Sequence, residues 1–232
     1  MMKLSVIIPV YNEKATIERI LQVVRDVDID KEIIVVDDGS NDGTSDFLGS
    51  LSMDGIKKCF HGENRGKGAA IRTGLEVVTG DIVIIQDGDL EYNPQEYHRL
   101  VQPIVDGKAQ VVYGSRFMGL PRGRKVRYHF YYPFSLGVKL LNILTWLLYG
   151  AKITDEATCY KVFKTEVIRN MKLRCERFEF CPEVTAKLCK MGYRIHEVPI
   201  SYMGRTFLEG KKIGWKDGIE AIYTLIRYRF TD

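Results

Sequence analysis

The sequence predicts an α/β fold, a mostly parallel central sheet with helices covering both of its faces. Three features carry that expectation. Short apolar runs of strand length alternate with segments whose apolar residues recur at helical spacing. The runs are continuous rather than alternating, so their strands are expected to be buried on both sides. Acidic residues also stand directly after two of these runs, where open α/β sheets hold their ligands.

Ser5 to Val10, SVIIPV, is the first buried strand, and Ile17, Ile20, Leu21, Val24 and Val27 mark a helix after it. Glu32 to Val36 is a second buried strand, followed by a short helix from Thr44 to Leu51. Lys57 to Phe60 is a weak strand signal suited to a sheet edge. Lys67 to Val78 reads as a helix and Ile82 to Ile85 as another buried strand. Asn93-Pro94-Gln95-Glu96 has the form of a helix start, with an Asn cap, proline in the first turn and a capping-box Glu. Val111 to Tyr113 closes this half as a strand.

The second half is less regular. Arg122, Arg124, Lys125 and Arg127 sit among aromatics in RGRKVRYHFYYPF, ahead of the apolar LGVKLLNILTWLLY. Cys181 to Met191 and Trp215 to Phe230 read as helices, with IHEVPISY as a strand between them. No repeat, low-complexity stretch or linker divides the chain, so one domain over residues 1–232 is expected.

Composition excludes several classes. A chain of 232 residues with 45% hydrophobic and 28% charged residues is neither disordered nor collagen-like, and is long enough to bury a core without disulfides. The five cysteines form no CxxC pair and read as reduced thiols rather than a disulfide frame or a zinc site. A net charge of +4 is too mild to indicate nucleic acid, but suits phosphates or an anionic membrane surface. The amino terminus runs straight into a strand, with no cleavage-site pattern, so secretion is not expected. No apolar run reaches the roughly 18–20 residues of a spanning helix. Leu136 to Tyr149 comes nearest and is interrupted by Lys139 and Asn142.

The strongest chemical signal is QDGDLE, Gln86 to Glu91, after the strand IVII. Asp87 and Asp89 can turn toward one hard cation, with Glu91 as a third oxygen ligand, a pattern that suits magnesium together with substrate phosphates. The same residues can also form an acidic turn that uses the backbone freedom of Gly88. Asp37 and Asp38 end the preceding strand. A carboxylate there can receive hydrogen bonds from a base or ribose, or can cap the next helix in an Asx turn. GENRGKGAA lacks the Ser or Thr of a phosphate loop and the third glycine of a dinucleotide fingerprint. It leaves a Gly-rich helix start in which Lys67 can approach an anion, or an ordinary one.

In order and spacing, PVYNE, VVDDGS, NRGKGAA, QDGDLEYNP and GSRF resemble the family 2 glycosyltransferases of GT-A fold, whose central sheet is Rossmann-like. TDEATCYKVF, RFEFCPE and GRTFLEGKKIGWKDG narrow the resemblance to the dolichol-phosphate mannose synthase-like branch, the polyprenyl-phosphate glycosyltransferases. It covers nearly the whole chain. By position it implies a donor site of Pro9, Tyr11, Glu13, Asp38, Lys67 and Gly88. It implies a Mg²⁺ or Mn²⁺ site of Asp87, Asp89 and Glu91, where Glu91 replaces the usual Gln. Arg116, Arg205 and Lys211 correspond to basic residues around the donor and acceptor phosphates, and Asp155 to a carboxylate near the reacting centre. The implied catalytic set is Asp89, Arg116, Asp155 and Arg205. Cys159-Tyr160 departs from the Gly-Phe frequent in relatives.

The resemblance further implies inverting transfer of a hexose, mannose or glucose, from a GDP- or UDP-linked sugar to a polyprenyl phosphate. Residues 1–117 would form the nucleotide-sugar half. Residues 118–232 would form an acceptor and membrane-facing half with an interfacial helix over 133–149. An ionised phosphate acceptor requires no strong base, which leaves Asp155 either a base for a hydroxyl acceptor or, as favoured here, an orienting residue. The four histidines, His61, His98, His129 and His196, read as surface or packing residues. Leu140, Leu141, Leu144, Trp146 and Leu148 are expected to sink into a membrane surface, or else to form a core helix. Tyr223, Ile226 and Phe230 suit either a second membrane contact or packing. Relatives often continue into spanning helices where this chain stops at Asp232, so a peripheral, cytosolic-face protein with a membrane-anchored partner subunit is expected. Transfer to a glycan or other hydroxyl, and a non-catalytic subunit of a membrane glycosylation complex, are the competing readings.

Overall fold

In the computed structural model the described residues are 2–118, 132–205 and 212–231. The basic stretch Arg122–Arg127 and Lys211 lie outside them. Among the described residues seven strands form one sheet: β1 Leu4–Val10, β2 Lys31–Asp37, β3 Ile56–Phe60, β4 Ile82–Ile85, β5 Val111–Ser115, β6 Lys161–Lys164 and β7 Ile195–Pro199, ordered β3-β2-β1-β4-β6-β5-β7. All seven residues of β1 and all four of β4 are buried, so both faces of the sheet are covered there. The helices are α1 Ile17–Arg25, α2 Thr44–Ser50, α3 Lys67–Glu76, α4 Tyr97–Val105, α5 Tyr132–Tyr149, α6 Thr165–Arg169, α7 Phe180–Lys190 and α8 Trp215–Phe230. α1 shows how the pattern becomes packing: Ile17, Ile20, Leu21 and Val24 all bury. The weak Lys57–Phe60 signal forms β3, at the sheet edge.

One strand departs from the expected pattern. KVFK forms β6, which runs antiparallel to both β4 and β5 and separates them, while every other pairing is parallel. Two lysines in four residues hide this strand from a hydropathy reading. Lys161 is nevertheless fully buried, donates to the Glu156 carbonyl at 2.7 Å, and lies 3.8 Å from the Tyr113 ring centre. The reversal has a consequence for the site. The segment leading into β6, residues 154–160, reaches the same sheet edge as the chain leaving β1, β2, β4, β5 and β7.

The helix start at Asn93 is capped as expected, its side chain accepting from Gln95 N at 3.1 Å, but begins with a 3₁₀ turn, Pro94–Glu96. Glu96 does not turn back as a capping-box residue. Its carboxylate accepts from Ser201 N at 3.0 and 3.1 Å, tying the segment after β7 to α4.

A second, smaller core joins α5, α7 and α8 through Leu141, Ala186, Ala221, Leu225 and Tyr228, with Leu144 and Leu148 packed against it. This corrects the expected membrane-facing set of α5. Leu141, Leu144 and Leu148 face the protein, whereas Leu136, Leu140, Ile143, Trp146 and Leu147 are exposed. On α8, Trp215, Ile219, Tyr223, Ile226 and Phe230 form a matching exposed stripe, with Trp215 74% and Phe230 79% accessible. Tyr223, Ile226 and Phe230 are therefore not packing residues.

Candidate active site

At the carboxyl edge of the sheet lies a cavity of about 860 Å³. Its floor carries Glu13, Asp38, Lys67, Asp87, Asp89 and Arg205, and its walls include Val138, Leu141, Phe180, Trp215 and Ile222 from α5, α7 and α8. Pro9, Tyr11, Gly88, Glu91 and Arg116 also line it.

The chain leaving β4 is fixed from behind. Gln86 is fully buried, and its side-chain oxygen accepts from Tyr97 and Tyr160 hydroxyls at 2.7 and 2.8 Å. Beyond it the two aspartates part. Asp87 pairs with the Lys67 ammonium, which also lies 3.4 Å from Cys159 Sγ. Burial opposes ionisation of Asp87, but the Lys67 charge holds its carboxyl below the ordinary value. Asp89 points the other way, its Oδ2 accepting from Arg205 Nη2 at 2.6 Å. Burial, then neighbouring Asp87 and Glu91, push the Asp89 carboxyl up to about 7 against the pull of Arg205.

Arg205 gathers three carboxylates. Besides Asp89 it donates to Glu13 from Nη1 and Nη2 at 3.0 and 3.1 Å, and to Glu91 Oε1 from its backbone N at 2.6 Å and Nε at 3.4 Å. Glu91 Oε2 accepts from Tyr202 OH at 2.5 Å, and Glu13 Oε1 from Lys212 Nζ at 2.7 Å. Lys212 and Tyr202 were not identified from the sequence; Tyr202, in IHEVPISY, read only as the end of a strand.

These residues supply a hard, all-oxygen donor set suited to Mg²⁺ or Mn²⁺. A protein cation already stands among Glu13, Asp89 and Glu91, the charge type a metal would bring. Asp87, held by Lys67, is the one predicted ligand not drawn into that group. Among the described residues, no three His, Cys, Asp or Glu side chains are converged at ligand distance. Lys67 holds Asp87 away from the three carboxylates that Arg205 draws together.

Of the two acidic residues at the end of β2, Asp37 takes the turn-forming role and Asp38 is held by protein donors. Asp37 accepts from Ser40 and Ser45, forming the turn that leads into α2. Asp38 faces the next loop, accepting from His61 Nδ1 at 2.6 Å, Arg65 N at 3.0 Å and Gly66 N at 2.6 Å. His61, read as packing, is buried, with its Nε2 2.9 Å from Thr73 Oγ1. Gly66 takes φ +95°, and a Cβ there would lie 2.3 Å from Glu176 O. The N–H groups of Gly68 and Ala69 donate to Arg177 O and Glu176 O. These donors at the start of α3 are therefore committed to protein, and the Lys67 side chain is what this segment offers to an anion.

Arg116 and Asp155 form a sealed pair. Arg116 donates to Asp155 from N, Nε and Nη2 at 2.9, 2.7 and 2.7 Å, with its side chain 2% and that of Asp155 0% exposed. The Asp155 N–H donates to Glu197 Oε1 at 3.2 Å. Asp155 thus orients a guanidinium rather than presenting an open carboxylate to the cavity.

A family model described as glycosyl transferase family 2 matches residues 5–171, from β1 through α6. The UDP-N-acetylglucosamine–dolichyl-phosphate N-acetylglucosaminyltransferase of Methanococcus voltae is 27% identical over 245 residues, covering 95% of this chain and 93% of its own. The undecaprenyl-phosphate mannosyltransferase of Micrococcus luteus is 27% identical over 243 residues, covering 98% of this chain and 94% of its own. Glucosyl-3-phosphoglycerate synthase from Mycobacterium tuberculosis, solved with Mn²⁺, UDP and glucosyl-3-phosphoglycerate, matches 98% of this chain and 78% of its own. Its TM-score is 0.73 at 19% identity, a likeness of fold, the GT-A arrangement.

Proposed function

The chain belongs to glycosyl transferase family 2, and from that membership we propose that it transfers a hexose, mannose or glucose, from a GDP- or UDP-linked donor to a polyprenyl phosphate. The observation that carries this reading is the two-part cavity. Its charged floor suits two phosphate groups, and its apolar walls, built from α5, α7 and α8, suit an isoprenoid chain. The named substrates of the Methanococcus voltae and Micrococcus luteus relatives support the acceptor class.

In the proposed reaction a phosphate oxygen of the acceptor attacks the anomeric carbon from the face opposite the diphosphate. The new carbon–oxygen bond forms as the bond to the diphosphate breaks, and the nucleoside diphosphate leaves with the electron pair. A phosphate monoester, with a second pKa of about 6, is largely ionised at neutral pH and needs no base. That agrees with the commitment of Asp155 to Arg116. Asp89 and Glu91, joined by Asp87 once it leaves Lys67, would hold the divalent cation. When bound, that cation would neutralise charge growing on the leaving diphosphate. Pro9, Tyr11, Asp38, Lys67 and Gly88 would hold the donor in residues 1–117, while Arg116, Arg205 and Lys211 would position phosphate beside the acceptor half, 118–232.

The exposed stripes of α5 and α8 would rest on the membrane that carries the acceptor, at its cytosolic face. Among the described residues no helix is long and apolar enough to cross a membrane. The test is a donor panel of GDP-mannose, UDP-glucose and UDP-N-acetylglucosamine, with a polyprenyl phosphate and Mg²⁺ or Mn²⁺, read by mass spectrometry. One lipid-phosphate-sugar product is expected. Transfer only to a soluble hydroxyl acceptor would overturn the reading.

A further inference from the structure

Arg205 and a divalent cation require the same oxygens. The guanidinium lies 2.6 Å from Asp89 Oδ2, and Glu91 Oε1 accepts both its Nε and its backbone N–H. A Mg²⁺ ion would sit about 2.0–2.1 Å from such oxygens, in space the guanidinium fills. Two buried carboxylates, Glu13 and Asp89, and the half-buried Glu91 converge on this side chain and need a counter-charge while no metal is bound.

We propose that Arg205 is the resident counter-ion of the metal seat: a divalent cation displaces its guanidinium from Asp89 and Glu91, and the displaced side chain becomes available to a substrate phosphate. The inference rests on the reading that Asp89 and Glu91 hold the metal. It makes capture of the acceptor phosphate conditional on a loaded metal site, because the group that would bind that phosphate is otherwise neutralised. It also lowers the apparent metal affinity of the free protein by the fraction of molecules in which Arg205 holds the seat.

Two measurements on the full chain, without donor or acceptor, test this. The first is Mn²⁺ binding followed by electron paramagnetic resonance. Arg205→Ala and Arg205→Gln remove the competing charge and should tighten Mn²⁺ binding by about tenfold or more. Folding is checked by circular dichroism, and the glutamine variant retains hydrogen-bonding capacity if the alanine variant is unstable. Unchanged or weaker binding in the folded variants would overturn the proposal.

The second uses the unaltered chain and phenylglyoxal, with modification of Arg205 read by peptide mass spectrometry. Adding Mg²⁺ should speed modification of Arg205, and no change or slower modification would overturn the proposal. Tight Mn²⁺ binding that ignores Arg205 would refute the competition and leave the metal reading standing. Failure of Mn²⁺ to bind any form would refute both.

Discussion

Replacing Asp155 by asparagine separates an orienting role from a chemical one. The carboxylate accepts three hydrogen bonds from Arg116, and both side chains are out of water. The isosteric amide keeps one acceptor oxygen and turns an NH₂ toward N–H donors. Breaking a buried ion pair costs roughly 3–5 kcal/mol. The low end, about 3 kcal/mol, applies here because the guanidinium keeps its approach to the Tyr202 ring, 5.0 Å from its centre. With a urea slope of roughly 2–3 kcal/mol/M, the midpoint should fall by about 1–1.5 M. Urea unfolding followed by circular dichroism measures this, and transfer activity should fall in the same variant as Arg116 loses its orientation. Replacing both partners by leucine should recover much of the stability but none of the activity. An unchanged midpoint with abolished transfer would refute the argument and identify Asp155 as a group acting on the substrate.

Three further outcomes follow from the structure. Burial raises the Glu32 carboxyl, but hydrogen bonds from Lys57, Ser5 and Thr79 hold it down at about 2, against an ordinary 4.5. Because the folded value is the lower one, its stabilisation is present above about pH 4.5 and lost as pH falls toward 2. Allowing for the exposed Lys57 partner, Glu32→Gln should cost about 1–2 kcal/mol at pH 7 and progressively less below pH 4, read from urea midpoints. Gly66→Ala would require both a left-handed backbone and a Cβ 2.3 Å from Glu176 O. It should cost more than about 1 kcal/mol and lower Tm by several degrees in a thermal melt. Trp215→Ser, Ile219→Ser and Phe230→Ser together should leave the unfolding free energy from urea melts within about 0.5 kcal/mol of wild type but reduce sedimentation with anionic lipid vesicles by roughly tenfold or more.

The parallel half of the fold was legible because its strands are continuous apolar runs, and β1, β2 and β4 fall where those runs lie. β6 was not. Its buried Lys161 is satisfied through a backbone carbonyl and an aromatic face, partners that only tertiary structure supplies. The same limit governs the site. QDGDLE announced its carboxylates, but spacing alone could not reveal that Asp87 and Asp89 turn to different cations. Nor could it reveal that His61 holds Asp38, because that contact spans two separate strand ends. On α5 the apolar content was plain, while the side facing α7 and α8 depended on helices distant in sequence. Leu141 and Leu140 adjoin in the chain and face opposite environments.

The pairing of charges across the cavity bears on how substrates would be admitted. Lys67 is matched by Asp87, Arg116 by Asp155, and Arg205 and Lys212 together by Glu13, Asp89 and Glu91. A floor of unmatched cations would attract any phosphate in solution and hold it where the acceptor belongs. A matched floor offers little net attraction until a divalent cation takes over the carboxylates now held by basic side chains. Under the proposed function, the two positive charges of the metal would balance the diphosphate of the donor, and each basic side chain released in the exchange would face the acceptor. This exchange would favour metal and donor binding before the acceptor phosphate, which would meet the basic side chains that their arrival releases.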